Sequence, residues 1–289
     1  METRTSSKLF SRLTDLPTLP AVVAKLLQLP EDADFGDFAK LIGTDPGLTA
    51  KVLKLVNSAF YSLKAPVSDL AHGCSLIGVR TIKSIVLSVS VMQMFKRKCR
   101  GFEPSEFWRQ SLATALVSRR IARAVNASDD AMEEVYLSGL LHTSGIPLFV
   151  QHYPEDYERV LEQAAEGEGE LLDLEYDVFG IPHPEAGSKL AGHWRLSPSV
   201  STSVRYHRTD VSALPQELDE EARQKIDVVR LADYWTKRAG FFFTETDAIE
   251  FETAPVVPIP EWMGVSEEEL EEAIGDVKTA VAEVESLLR

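Results

Sequence analysis

The residues best suited to chemistry are the adjacent pair His142-Thr143, near the end of a run with helical periodicity, residues 133–145. An imidazole beside a carboxylate would offer a divalent cation one neutral and one charged ligand. Threonine supplies neither that charge nor a strong ligand atom. If the pair belongs to a metal site, the site has lost an acidic ligand.

The elements that must position this pair are helical almost throughout. Apolar residues recur at helical spacing, and Asp34, Asp45 and Asp69 stand where helix N-caps are expected. One helix over residues 129–148 is predicted to carry the His142-Thr143 pair. Only the aromatic patch at 241–244 is strand-like, and it is short. The sequence therefore predicts an all-α fold.

The C-terminus carries the clearest amphipathic pattern. Ser266 and Glu269 have the spacing of a capping box, which marks the start of a helix. An apolar stripe at three- and four-residue steps then follows: Leu270, Ile274, Val277, Val281, Val284 and Leu287. The stripe is short for a coiled coil. We predict a C-terminal extension, 241–289, whose amphipathic helix 266–288 packs on the core.

Composition is that of a soluble globular protein, with 44% hydrophobic and 26% charged residues in 289. Cys74 and Cys99 cannot form a disulfide framework, which favours a reducing compartment. The N-terminus lacks the apolar segment of a signal peptide. The most apolar stretch, residues 85–95, is too short to cross a bilayer. We therefore expect a cytoplasmic protein with no membrane insertion.

Charge is distributed unevenly along the chain. Residues 1–100 contain 14 Lys and Arg against 8 Asp and Glu, whereas residues 101–289 contain 16 against 37. Nucleic-acid binding requires cationic surface to neutralise phosphates. The strong acidity of the larger part therefore predicts that nucleic acid is not a partner. The change in the sign of the net charge also suggests a subdomain boundary near residue 100.

Four segments of the N-terminal half carry a family resemblance: Leu-Pro-Thr-Leu-Pro at 16–20, Asp-Pro-Gly-Leu at 45–48, Lys-Val-Leu-Lys-Leu-Val-Asn-Ser-Ala-Phe-Tyr at 51–61 and Leu-Ile-Gly-Val-Arg at 76–80. The Asn-Ser-Ala-Phe-Tyr stretch, at its distance from Asp-Pro, is the most specific part. The chain resembles the HDOD family, relatives of the HD-domain phosphohydrolases found in bacterial signalling proteins. The resemblance covers residues 9–240. It implies a multi-helix HD-domain-like bundle with an N-terminal helical subdomain, 9–100, and an HD-like core, 101–240.

The resemblance also implies where a metal site would stand. In catalytic HD relatives the ligands come from a first His, the His-Asp doublet, further His residues and a late Asp. The corresponding positions here are Gln110, His142, Thr143, His183, His207 and Asp233. Gln110 and Thr143 replace expected ligands with residues that bind metals poorly, so we expect no bound metal and no other cofactor.

Two interpretations of the remaining positions stay open. His142, His183, His207 and Asp233 could still form a mononuclear site for Zn, Fe, Mn or Mg, since a few nitrogen and oxygen ligands suffice. Alternatively, each histidine is hydrogen-bonded within the fold and has no further role.

The function that the resemblance implies is a non-catalytic bacterial signal-transduction module with a degenerate HD metal site. No receiver or cyclase pattern is recognisable, so we expect it to act by protein–protein contact in trans, with a kinase, a response regulator or a cyclic-dinucleotide enzyme. One alternative is a metal-dependent HD-type phosphohydrolase or phosphodiesterase that acts on a nucleotide. Another is a nucleotide-sensing module that uses the former catalytic pocket without hydrolysis.

The positive N-terminal half offers a candidate surface for an acidic partner, since complementary charge steers association. The residues proposed for it are Lys54, Asn57, Ser58, Tyr61, Lys64 and Arg80. Two other interpretations remain. The cations could pair with acidic helices of the same chain, and Asn57-Ser58 could form a local turn through side-chain-to-backbone hydrogen bonds.

Overall fold

The computed structural model describes residues 16–30, 32–58, 63 and 65–288, the side chains of 287 and 288 excepted. Over these ranges the chain is all-α, as predicted. It contains no strand there, and its β structure is limited to an isolated bridge between Cys99 and Phe102. The aromatic patch at 241–244 is not a strand; it precedes a helix.

The described residues of the N-terminal part contain five helices: α1 (Ala21–Gln28), α2 (Phe35–Ile42), α3 (Pro46–Val56), α4 (Leu70–Ile77) and α5 (Val79–Met94). The three predicted N-caps are present. Asp34, Asp45 and Asp69 each accept a hydrogen bond from a backbone N–H in the first turn of the helix that follows. These bonds satisfy amide groups that a helix start leaves unpaired. Helices α4 and α5 meet at Gly78, whose φ of +84° suits glycine.

Nine helices follow: α6 (Pro104–Ala124), α7 (Asp129–Leu141), α8 (Gly145–His152), α9 (Pro154–Ala165), α10 (Leu171–Phe179), α11 (His183–His193), α12 (Pro198–Tyr206), α13 (Glu220–Arg238) and α14 (Glu245–Thr253). Helix α6 packs along α7, and α13 contacts both. Helix α12 contacts α7, α11 and α13, so the five helices that carry or directly precede the predicted metal-ligand positions pack together. Helix α5 contacts α7 and thereby connects the two parts. The division near residue 100 stays a prediction.

The single helix predicted over 129–148 is wrong. The structure breaks it into α7 and α8, with a turn at residues 142–144. The apolar pattern continues across the break because both helices are buried, so periodicity did not reveal it. The turn places His142 at the end of one helix and lets Gly145 lie directly against the backbone of His183.

The single helix predicted over 266–288 is also broken. The capping box of Ser266 and Glu269 is present and starts α15 (Glu267–Ile274), but α16 (Val277–Leu288) begins anew after Gly275. Gly275 has φ +55° and ψ −154°, and Asp276 accepts a hydrogen bond from Thr279 N at 2.9 Å, as an N-cap does. Both helices pack on α6, and α16 also contacts α3.

Within the described ranges, no single helix has both the length and the apolar composition of a membrane span; only the bent pair α4–α5 passes that test jointly.

Replacing Gly145 with alanine should lower the free energy of unfolding by about 1–3 kcal/mol, the usual cost of overpacking a core. The added Cβ would overlap the His183 carbonyl oxygen and lie 2.7 Å from the His183 Cα. These are backbone atoms, so a change of side-chain rotamer cannot relieve the clash. Gly192→Ala is the matched control, since nothing lies within 4 Å of its added Cβ. Urea unfolding of both variants measures the difference. Equal stabilities would contradict this packing.

Candidate functional site

Three helix ends bring the histidines together. His142 follows α7, His183 is the first residue of α11, and His207 follows α12. All three are buried, and the His207 ring lies 5.0 Å from the His142 ring and 6.0 Å from the His183 ring, measured between centroids. The tertiary structure therefore gathers three of the predicted positions into one cluster.

Each of these histidines is oriented by a hydrogen bond from Nδ1–H. The acceptor is Gly139 O for His142, at 2.7 Å, and Val204 O for His207, at 2.8 Å. For His183 it is the Glu175 carboxylate, at 2.8 Å. Nε2 of His183 and of His207 has no partner among the described residues. This is how metal-binding histidines are usually held.

Glu175 is a residue of the candidate site that sequence reasoning missed. Its side chain is fully buried, accepts hydrogen bonds from the backbone N–H of His183 and from Tyr157 Oη, at 2.7 and 2.8 Å, and so fixes the start of α11. Burial, then the charge of Glu175, raises the pKa of Tyr157 well above its ordinary value, so Tyr157 acts as a donor. The helix Leu171–Phe179 carries three acidic residues, and nothing in the sequence distinguished Glu175 from Asp173 and Asp177.

Asp233, on α13, is the acidic centre of the cluster. Its Oδ1 accepts a hydrogen bond from Gln110 Nε2 at 2.9 Å and lies 3.3 Å from His142 Nε2. Its Oδ2 lies 3.0 Å from the Nζ of Lys237, one turn further along α13. Burial opposes ionisation of this carboxyl, but Lys237 and His142 outweigh it and hold its pKa well below the ordinary value.

Lys237 is the second residue that sequence reasoning missed. Its side chain is 7% exposed, and Nζ also contacts Asp247 Oδ1 at 2.8 Å. Burial disfavours the ammonium, yet Asp233 and Asp247 raise its pKa above the ordinary value. Burial and the charge of Asp233 raise the pKa of Asp247. The i, i+4 spacing from Asp233 was the signal in the sequence, although such pairs are usually exposed.

The donor set does not fit a resident metal. Asp233 carries the one carboxylate among the predicted ligand positions, and Gln110 and Lys237 donate to its two oxygens. The positive charge of Lys237 would also repel a divalent cation at this carboxylate. Thr143 is buried, and its Oγ1 has no partner among the described residues. Nowhere in the described ranges do three or more His, Cys, Asp or Glu side chains form a group that could hold a metal ion.

His207 is held neutral by its surroundings. Burial, followed by the nearby His142 and His183, lowers its pKa well below the ordinary value. Since Nδ1–H donates to Val204 O, the lone pair of a neutral ring lies on Nε2. The cluster therefore combines a fixed ion pair with an unpaired hydrogen-bond acceptor.

The candidate partner surface is only partly described, because Tyr61 and Lys64 lie outside the described residues. Lys54 is exposed on α3. The Asn57 side chain donates to Val67 O at 2.8 Å and accepts from Val67 N at 2.6 Å, which fits the local-turn interpretation. Ser58 is buried, and Arg80 forms an ion pair with Asp130 of the same chain.

Replacing Lys237 with methionine should lower the free energy of unfolding by about 3–5 kcal/mol at neutral pH, because two buried carboxylates lose their counter-charge. This loss of stability should shrink as pH falls, because protonation of a carboxyl whose pKa is raised in the folded state stabilises the folded protein. Urea unfolding at several pH values measures both effects.

The double variant Lys237→Met/Asp247→Asn is the matched control and should recover part of the stability. A Lys237→Met protein as stable as the parent at neutral pH would contradict this account.

Several solved structures share the fold. An HDOD domain protein with unknown function from Geobacter sulfurreducens is 26% identical, with TM-score 0.72 over 96% of this chain and 94% of that one. A Shewanella amazonensis SB2B protein provisionally named a phosphohydrolase is 21% identical, with TM-score 0.75 over 99% of both chains. A Marinobacter aquaeolei VT8 protein provisionally named a signal transduction protein is 19% identical, with TM-score 0.68 over 99% of this chain and 61% of that one. The Shewanella and Marinobacter structures are too distant in sequence to establish more than the shared fold.

A sequence relative and a family model identify the family. An uncharacterised protein of Treponema pallidum (strain Nichols) is 27% identical over 234 residues, which are 80% of this chain and 44% of that protein. The chain thus spans less than half the length of this curated relative. The model of the HDOD domain matches residues 16–209, more than half of the chain. The chain therefore belongs to the HDOD domain family, as its N-terminal motifs implied.

Proposed function

We propose that this chain is a cytoplasmic, non-catalytic regulatory module of signal transduction that binds a partner protein. The observation that carries the proposal is the Lys237 ammonium, which lies between Asp233 and Asp247 at the predicted metal site. The chain retains a phosphohydrolase-like fold. Asp233, which stands at the predicted acidic ligand position, forms an internal ion pair with Lys237.

An ammonium cannot perform the chemistry of the metal. In metal-dependent hydrolysis, a cation with an open position lowers the pKa of bound water and polarises phosphoryl oxygens. The hydrogens of Lys237 are directed to two carboxylates, and its raised pKa keeps it protonated, so it cannot serve as a general base. These contacts support a regulatory role over hydrolysis.

A second candidate, a metal-dependent phosphohydrolase, is favoured by one observation. Nε2 of His183 and of His207 are buried and without a partner among the described residues, with Nδ1 held as in metal sites. Metal content and turnover distinguish this candidate from the regulatory module.

The purified chain should contain no stoichiometric Zn, Fe, Mn or Mg and should not hydrolyse cyclic dinucleotides or nucleoside monophosphates, with or without added Mn²⁺. Elemental analysis and product chromatography measure these quantities. The control is a His183→Gln/His207→Gln double variant, which should give the same background. About one metal per chain, together with turnover that the double variant loses, would establish the phosphohydrolase instead.

The partner surface that we propose centres on Lys54. It is exposed, and no hydrogen bond or ion pair is found for it among the described residues, whereas Arg80 is paired with Asp130. The excess of positive charge in residues 1–100 favours an acidic face on the partner, which could be a kinase, a response regulator or a cyclic-dinucleotide enzyme.

Replacing Lys54 with glutamate should weaken binding of the captured partner about two- to five-fold at low salt, the range expected for one exposed charge. The partner is captured from host cytosol on the immobilised chain and then titrated at increasing ionic strength. Lys40→Glu on α2 is the matched control, since it gives the same change of charge at another exposed position. Equal affinities of the two variants, or a fall in melting temperature only for Lys54→Glu, would contradict the assignment.

A further inference from the structure

A large cavity opens beside the histidine cluster. Its volume is about 630 Å³, within the range of roughly 300–1,000 Å³ that is usual for small-molecule sites. His207, Asp233 and Lys237 line it, together with residues of α13, α14 and the extended segment 254–260. We call it the α13–α14 cavity. Most of its lining residues lie beyond residue 209, where the match to the HDOD model ends.

The outer wall of this cavity is a proline-rich segment held at both ends. Pro255, Pro258 and Pro260 restrict its backbone and remove N–H donors from it. Near its start, Glu250 pairs with Arg208 at 3.1 Å. Just after its end, Trp262 Nε1 donates to Asp227 Oδ2 at 3.0 Å. The wall is therefore anchored on α12 and α13, and it offers few amide donors to an anion.

The cationic groups of the lining are already paired. Arg208 pairs with Glu250 at 3.1 Å, Arg230 lies 3.6 Å from Asp227, and Lys237 contacts both Asp233 and Asp247. Arg230 also donates to two backbone carbonyls. A phosphate would have to break one of these pairs, so the lining does not suit a nucleotide.

Three of the four acidic groups of the lining are paired as well. Asp227, Asp233 and Glu250 belong to the ion pairs above. Asp210 is exposed and accepts from the backbone N–H of Ser212 at 2.8 Å, but it forms no ion pair among the described residues. An anionic ligand would therefore meet no available counter-charge in the lining.

The ring of His207 is buried behind the lining. His207 is 2% exposed, its Nδ1–H donates to Val204 O, and its Nε2 is a buried atom without a partner among the described residues. The ring therefore offers no accessible hydrogen-bonding atom to a ligand in the cavity.

The remaining surface of the lining is apolar. The rings of Tyr234 and Phe251 lie 5.6 Å apart between centroids, and Val256 and Val257 continue the surface along the extended segment. Val256 is 73% exposed, which is unusual for valine in a folded domain. An apolar ligand would cover such a surface.

We infer that the α13–α14 cavity is a binding site for a largely apolar small molecule that carries no anionic group. The inference goes beyond the proposed partner binding and does not depend on it. It differs from nucleotide sensing, because the ligand carries no phosphate.

N-phenylnaphthylamine is a suitable probe, since it is neutral and aromatic. Fluorescence titration of the full chain should show saturable binding of about one probe per chain. Anilinonaphthalene sulfonate, which adds an anionic group to the same skeleton, should bind at least about ten-fold more weakly for lack of an available cation.

Two variants locate the site. Val256→Asp places a charge on the extended segment and should weaken binding of the neutral probe about ten-fold. Ile249→Asp is the control, since Ile249 is also an exposed apolar residue, 53% exposed, but does not line the cavity. Thermal melting of both variants checks that the fold is retained. If only Val256→Asp melted early, Val256→Ser, which is uncharged, would replace it and should weaken binding less.

Three results would overturn the inference. The first is the absence of saturable binding of N-phenylnaphthylamine. The second is equal or tighter binding of the sulfonate, which would indicate an anion site. The third is an equal effect of Val256→Asp and Ile249→Asp, which would place the probe elsewhere on the surface.

Discussion

The buried ion pair between Asp233 and Lys237 is the interaction on which the rest of the core depends. Two charges removed from water are stable only when each is paired and hydrogen-bonded, so they constrain the groups around them. Gln110 on α6 and His142 after α7 complete the contacts of Asp233, and Asp247 on α14 completes those of Lys237. One pair of charges thus fixes the relative positions of α6, α7, α13 and α14.

The same pair determines what chemistry the cluster can perform. The histidines are oriented as metal ligands are, through Gly139 O, Val204 O and the buried Glu175. A metal site would also require an open carboxylate, but the carboxylate of Asp233 is paired with the ammonium of Lys237. The cluster therefore combines firmly oriented histidines with an acidic side chain that is held in an ion pair.

The C-terminal extension does more than cover the core. Helix α14 supplies Asp247 to the ion cluster and Phe251 to the wall of the α13–α14 cavity, while α15 and α16 pack on α6. Residues beyond the matched HDOD segment thereby stabilise the site and form most of the neighbouring cavity.

The sequence by itself determined the helical fold, the caps at Asp34, Asp45 and Asp69 and the capping box at Ser266, because periodicity and capping are local properties. The positions that gather around Asp233 were implied by the family resemblance and not by these local patterns. The sequence did not reveal the breaks at 142–144 and at Gly275, since the apolar stripe continues across each break. Nor did it reveal that Lys237 and Glu175 are central. A lysine one turn from an aspartate is usually a solvated pair, and a glutamate between two aspartates is usually a surface residue. Only the tertiary structure, by burying these groups against Asp247, His183 and Tyr157, placed Lys237 and Glu175 in the core of the cluster.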